Sequence, residues 1–420
     1  MQKQYFGYKT AKNLKVFLLC WVAYFSTYVG RLNFSAVLPE IQKAGGWTDT
    51  QIASVSTIFF IFYGMGQLIN GIISDKANTR KMVFCGLFIS ALCNISLFMF
   101  PKYYVFLPIW ALNGFVQSLV WTPVLKIGST QFDEKIVNKF GVDMSTTVPI
   151  GTLLSYGLSL FTLWILPWRF VFLTCGLFEM AIAITWITAT KPLLAGKVSV
   201  KAKTKEVKTV PPASIKVTLR AVAVSGVLLM MIPIIIQGTL KDSVTQWVPA
   251  FFSGQFGAKT TFSLALTMIL PIVNVTGAYL ANTVNKKFHS EIGTSALFFG
   301  IASVALFVLK FFGSNSIVLS LICMATVTNS MFAVNVMLIT LVPLHFANIG
   351  RVSTISGAMD ALAYVGCGAL NLVTGHILDG DNGWANLFIM WIILGLSAIA
   401  FSLAIVPMWK KYLKNYKTKD

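Results

Sequence analysis

The sequence predicts an all-α integral membrane protein with twelve transmembrane helices in two pseudo-symmetric six-helix bundles. Three observations lead there. The 420 residues are 56% hydrophobic and only 11% charged, whereas soluble domains carry about 25% charged residues. Apolar stretches long enough to cross a bilayer recur along the chain. Finally, the second half repeats landmarks of the first at a fixed offset of 210 residues.

The apolar stretches run over about 13–38, 50–74, 81–100, 104–127, 139–164 and 168–190 in the first half. In the second half they run over about 218–251, 260–284, 291–312, 316–343, 353–378 and 385–408. Each carries few charges over roughly 20 residues, which is the signature of a membrane-spanning helix. The first and seventh are long for one crossing, so tilt or a kink is expected there.

The net charge of +19 invites a nucleic-acid reading, but its placement points to a membrane. Basic residues crowd the N-terminus (Lys3, Lys9, Lys12, Lys15), the segment 76–81, the stretch 191–216 and the C-terminal tail. If the helices alternate, those segments share one side. The opposite connections at 39–49, 251–259 and 379–383 carry few basic residues. Such asymmetry marks the inside and places both termini in the cytoplasm, with the chain crossing the cell membrane many times. A basic face on anionic lipid accounts for most of these lysines, and no nucleic-acid partner is expected.

Residues 191–217 are polar, basic and broken by Pro211 and Pro212, so they read as a linker. The expected organisation is a bundle over 1–190, the linker over 191–217 and a second bundle over 218–420. The halves echo each other. Arg31 precedes Pro39 by eight residues, and Lys241 precedes Pro249 by eight. At the same offset, Asp75-Lys76 meets Asn285-Lys286. Internal symmetry of this kind is what a duplicated transporter leaves behind.

Arg31 and Lys241 stand well inside apolar runs. A cation at that depth costs about 2.5–3.5 kcal/mol on insertion scales, so it faces a bundle interior or a water-filled cavity. Two such cations at symmetric positions are expected to converge and to attract an anion. The guanidinium suits bidentate capture of an oxyanion, and the ammonium acts as a point charge. Tyr24, Tyr28 and Arg31 fall at i, i+4 and i+7 on one helical stripe, and Gln237 and Lys241 are four apart. Phenol and amide groups beside the cations suit a hydroxylated, anionic substrate. The competing reading is that Asp242 or Asp360 satisfies the cations and that the tyrosines only pack. Asp360, inside the eleventh run, is a candidate proton carrier or a permanent ion-pair partner, and Asp242 is a second candidate.

No catalytic or metal spacing appears. His289, His345 and His376 are scattered and read as solvated or structural. Cys20, Cys85, Cys93, Cys175, Cys323 and Cys367 lie in apolar runs without paired spacing and read as free thiols. Neither an enzyme nor a cofactor is expected, and the first apolar run lacks the form of a cleavable signal.

Four segments carry a family resemblance. The stretch 71–81, with Gly71, Asp75, Lys76 and Arg80, resembles the loop signature of the major facilitator superfamily. It implies the major facilitator fold and a gating or structural role for those residues. Within that superfamily the chain resembles the organophosphate:phosphate antiporters. The match rests on 112–126, with Asn113, Gly114, Gln117, Trp121, Pro123 and Lys126 in register, on the segment around Arg31, and on 240–252 around Lys241. The resemblance implies Arg31 and Lys241 as substrate-binding cations. Two positions depart from the pattern: Gln67 stands where relatives commonly have a lysine, and Thr146 or Thr147 where they have a histidine. Gln67 and the segment 30–41 also resemble sugar-acid:proton symporters, but those carry an acid where this chain has Gly30.

The function expected from all of this is secondary transport of a small organic anion by a monomer. The leading reading is a sugar phosphate or glycerol phosphate exchanged for inorganic phosphate by alternating access. The alternatives are a proton-coupled sugar-acid or carboxylate symporter and a sugar-phosphate sensor on the same fold. The expected substrate-binding set is Arg31, Lys241, Tyr24, Tyr28, Gln67, Gln237 and Asp360.

Overall fold

Helices make up every regular element in a computed structural model of the chain, which describes residues 8, 10–132, 136, 140, 141, 143, 144, 146–194, 215–346 and 352–417. Eleven helices among the described residues are long and apolar enough to cross a membrane. A twelfth, α1 (Ala11–Ala36), has the length, but its tyrosines, hydroxyl residues and Arg31 make it less apolar. The all-α reading with about twelve spans therefore holds.

The chain divides into two compact units: residues 1–47 with 61–204, and residues 48–60 with 205–420. The division near 204 falls inside the expected linker. Residues 195–214 of that linker lie outside the described residues. The assignment of 48–60 to the second unit was not legible in the sequence.

In the first unit, α1 is capped by Thr10, whose hydroxyl accepts from the Asn13 amide. A short helix α2 (Leu38–Gly45) follows Val37 and ends on left-handed Gly46. Then come α3 (Asp49–Lys76), α4 (Thr79–Met99), α5 (Tyr103–Gln131), α6 (Thr147–Ile165) and α7 (Arg169–Leu194). Asn78 caps α4 by accepting from the Lys81 amide, an economical answer to the orphan N–H groups of a first turn. The α1 helix packs on α6 and α7, and α4 packs on α5 and α7.

The second unit runs through α8 (Ile215–Ser225), α9 (Val227–Phe256), α10 (Thr260–Thr267), α11 (Ile269–Phe288), α12 (Glu291–Phe312) and α13 (Ile317–Asn335). A π-helical stretch, Val336–Leu341, extends α13, and α14 (Val352–Leu378) and α15 (Gly383–Lys417) complete it. The seventh apolar run is thus two helices. Gly226, at φ 81, separates α8 from α9, a conformation that glycine adopts at little cost. Here α9 packs on α14 and α15, and α12 packs on α13 and α15. These four pairings match those of α1 and α4 in the first unit. The duplication read from the 210-residue offset is therefore present in the packing as well.

Residues 48–60 join the second unit through polar contacts with α14 and α9. The Asp379 carboxylate accepts from the Asp49 amide at 2.6 Å and from the Thr50 amide at 2.9 Å. Thr57 donates to the Gly368 carbonyl at 2.7 Å, and Gln246 donates to the Ser56 hydroxyl at 2.7 Å. Asp379 lies beyond the end of the α14 span. Its partial burial opposes charge, but hydrogen bonds from Thr50, the Asp49 amide and Thr48 outweigh it and hold the carboxyl below its ordinary value.

Candidate functional site

In the first unit the expected stripe on α1 forms a single aromatic and cationic surface. The Arg31 guanidinium carbon sits 3.8 Å above the Tyr28 ring centre and 5.5 Å from that of Tyr63 on α3. Tyr28 meets Tyr24 edge to face at 5.7 Å, and Tyr24 lies 4.4 Å from the Trp121 ring on α5. Tyr24, Tyr28 and Tyr63 are buried, and Arg31 is half-buried. An aromatic face under a guanidinium stabilises its charge by about 0.5–2 kcal/mol. Gln67, buried on α3 one turn beyond Tyr63, belongs to the same helix as the Tyr63 ring.

Behind Arg31 lies a buried polar cluster that ties four helices together. The Gly30 carbonyl accepts from the Asn94 side chain on α4 and the Asn113 side chain on α5, each at 3.0 Å. Asn33 donates to Asn94 Oδ1 at 2.7 Å. Ser90 Oγ lies 2.6 Å from Asn113 Oδ1 and 2.8 Å from Glu179 Oε2 on α7. Gln117 donates to Ser90 Oγ at 3.1 Å. Asn113 and Gln117, which carry the family resemblance on α5, are thus a buried support for the backbone of Arg31.

Sequence reasoning passes over Glu179. It is fully buried, and its Oε1 has no hydrogen-bond partner. Arg31 is a cation that acts on it electrostatically. The signal was present, since Glu179 is the lone acid in the run 168–190, and ionisable groups inside a span are functional candidates by default. A side chain at position 30 would overlap Glu179 Oε2. Gly30 therefore leaves the space beside Arg31 for a carboxyl group from α7.

In the second unit, Lys241 Nζ on α9 lies 3.5 Å from Asp242 Oδ2. It also lies 5.8 Å from the Tyr364 ring on α14 and 5.9 Å from the Phe332 ring on α13. Adjacent residues diverge by about 100° on a helix, but the long lysine side chain bends back to its neighbour. Asp360 is half-buried on α14 one turn before Tyr364. Gln237 is buried and donates to the Met331 carbonyl at 3.2 Å, and its Oε1 has no hydrogen-bond partner.

The motif residues have structural roles where they are described. Arg80 donates to Thr190 Oγ1 at 3.1 Å and to the Ile187 carbonyl, and Trp186 donates to the Arg80 carbonyl, so the start of α4 is fastened to α7. Lys126 donates to the Ser74 carbonyl, tying α5 to α3. Pro123 is buried within α5. Gly71, Asp75 and Lys76 lie in α3, but their side chains are outside the described residues. Of the scattered histidines, His345 pairs with Glu291 at 3.0 Å, and His289 ends α11 in a left-handed conformation. Five of the six cysteines are buried, and Cys85 is exposed.

A model of the Major Facilitator Superfamily matches residues 20–371. The glycerol-3-phosphate transporter of Bacillus subtilis is 24% identical over 420 aligned residues, covering 92% of this chain and 91% of that protein. The membrane sensor protein UhpC of Salmonella typhimurium is 33% identical over 103 residues, which span 24% of this chain and 23% of the sensor's own length. Among solved structures, a bacterial homologue of the human lysosomal transporter Spinster, inward-facing and unoccupied, superposes with a TM-score of 0.79 at 14% identity. That likeness covers 96% of this chain and 98% of the other.

Proposed function

The chain belongs to the Major Facilitator Superfamily, and from that premise we propose that it carries a small phosphorylated organic anion across the cell membrane in exchange for inorganic phosphate. It is a multi-pass membrane protein of a transporter family, not an enzyme. The carrying observation is the Arg31 guanidinium on the Tyr28 ring at 3.8 Å, a cation presented on an aromatic face inside a membrane span. The glycerol-3-phosphate transporter likeness, which runs nearly the whole chain, supports glycerol phosphate or a sugar phosphate as the substrate class.

In this reading Arg31 grips the phosphoryl oxygens, and Tyr24, Tyr28 and Gln67 serve the hydroxyl groups. Lys241 is the second cation, with Gln237 and Asp360 completing the polar set. Anion binding lowers the cost of bringing cations into a closed carrier. A ligand drives such a change only through its differential affinity for the two states, and charge neutralisation supplies that difference. Both termini face the cytoplasm, by the distribution of basic residues, and the carrier works as a monomer. The UhpC likeness favours a second reading, a membrane sensor without net flux, although it covers a much smaller share of the chain.

The test uses purified protein in liposomes loaded with phosphate. Labelled phosphate should enter only when phosphate is present inside, and glycerol 3-phosphate or glucose 6-phosphate should block entry. Entry of gluconate driven by a proton gradient alone would assign a symporter instead. Sugar-phosphate binding without any flux would assign the sensor.

A further inference from the structure

In the cluster behind Arg31 a single hydroxyl hydrogen faces two close oxygen acceptors. The Asn113 amide is oriented by its donation to the Gly30 carbonyl at 3.0 Å, so Oδ1 faces Ser90. Ser90 Oγ then has two oxygen neighbours within hydrogen-bond distance, Asn113 Oδ1 at 2.6 Å and Glu179 Oε2 at 2.8 Å. A hydroxyl has one hydrogen to give. The Gln117 amide supplies none to either of these two short contacts, because it donates to Ser90 Oγ itself, with a longer approach of 3.4 Å to Asn113 Oδ1. If Glu179 is ionised, one of the two short contacts is acceptor against acceptor in a buried site. If Glu179 Oε2 carries a proton, it donates to Ser90, Ser90 donates to Asn113, and both contacts are satisfied.

From this geometry we propose that Glu179 is a proton-binding site whose protonation frees the charge of Arg31 for the anion. The inference rests on the reading of Arg31 as an anion-binding cation. An ionised Glu179 offsets the guanidinium and competes with an incoming phosphate. A proton taken from water cancels that competition, so proton and anion bind together. Gly30 makes the arrangement possible, since any side chain there would displace the carboxyl. The other groups bearing on Glu179 are Cys93 on α4 and Cys175 on α7 itself, and Arg31 supplies the charge that couples to substrate. By reciprocity, if the proton strengthens anion binding by some factor, the anion strengthens proton binding by the same factor, and such couplings run about 5–150-fold.

The test compares full-length wild type with Glu179→Gln in phosphate-loaded liposomes. Entry of labelled inorganic phosphate is followed from mildly acidic to mildly basic pH. The titration of phosphate itself is common to both proteins and cancels in the comparison. Wild type should lose apparent phosphate affinity toward basic pH by about tenfold more than the variant, within the usual range of couplings. In parallel, infrared difference spectra of the wild type should show a protonated-carboxyl band that disappears as pH rises. The band should be missing from Glu179→Gln and should disappear at a different pH in Ser90→Ala, which keeps the carboxyl but removes its hydroxyl partner. Matching pH profiles in wild type and Glu179→Gln, or a band indifferent to both substitutions, overturns the proposal. If Glu179→Gln does not fold, the Ser90→Ala spectrum decides. Absence of phosphate exchange by the wild type at every pH would overturn the transport reading instead, and the infrared result would still decide whether Glu179 binds a proton.

Discussion

The Arg31 guanidinium lies 3.8 Å above the Tyr28 ring, with one residue a turn below the other on α1. This pair fixes the direction in which the cation is offered. Tyr28→Phe keeps the π-face and should leave phosphate exchange within a few-fold of wild type. Tyr28→Ala removes it and should weaken phosphate affinity by up to about 30-fold, the equivalent of the ~2 kcal/mol upper range for a desolvated cation–π contact. The concentration dependence of exchange in liposomes measures both. Equal affinities in the Phe and Ala variants would show that the ring does not position Arg31.

A second expectation concerns Gly30. Its carbonyl anchors Asn94 and Asn113, and a Cβ would overlap Glu179 Oε2. Gly30→Ala should therefore destabilise the protein by about 1–3 kcal/mol, the usual cost of overpacking a core. Combining it with Glu179→Ala should recover part of that loss. Thermal unfolding in detergent, analysed as a double-mutant cycle, reads the coupling, and strict additivity would show that the two side chains do not compete for space.

Asp379 offers a pH-dependent expectation. Its carboxylate accepts from the Asp49 and Thr50 amides, and its folded value is depressed. A depressed carboxyl contributes stability that is present above its unfolded value and is lost as pH falls through the folded one. The wild type should lose this contribution on acidification, while Asp379→Asn should lack it at neutral pH and be less sensitive to acid. The neutral-pH difference should be about 1 kcal/mol, as for other caps, and melting curves at two pH values would measure it.

The architecture was legible because its causes are local and repetitive. Apolar runs, basic segments and the 210-residue offset each reflect a bilayer or a duplication, and both leave periodic marks. The stripe of Tyr24, Tyr28 and Arg31 was legible for the same reason, since helical spacing alone puts those residues on one face. What escaped the sequence depends on packing between helices. Glu179 is 148 residues from Arg31 in sequence, and only the folding of α7 against α1 and α4 brings its carboxyl to the space left by Gly30. The length of the seventh run announced a tilt or kink, but not that it would be a full break at left-handed Gly226. Gln237 is placed near Lys241 by spacing alone, whereas the donation of its amide to the Met331 carbonyl depends on how α9 packs on α13.

Lys241 gives a fourth expectation. Its ammonium is 3.5 Å from Asp242 Oδ2 and both are largely buried, at 16% and 25% side-chain exposure. Asp242→Asn should keep the lysine charge and strengthen phosphate binding, and Lys241→Ala should abolish exchange. Loss of exchange in both variants with identical phosphate affinity would show that the pair acts as a structural unit.

The most direct measurement follows phosphate exchange in phosphate-loaded liposomes containing wild type, Arg31→Ala or Lys241→Ala, each first shown to be folded by its melting curve. The account predicts robust exchange by wild type and none by either variant at any phosphate concentration. Exchange at the wild-type rate in both folded variants would contradict it, because the anion would then be recognised without the two cations.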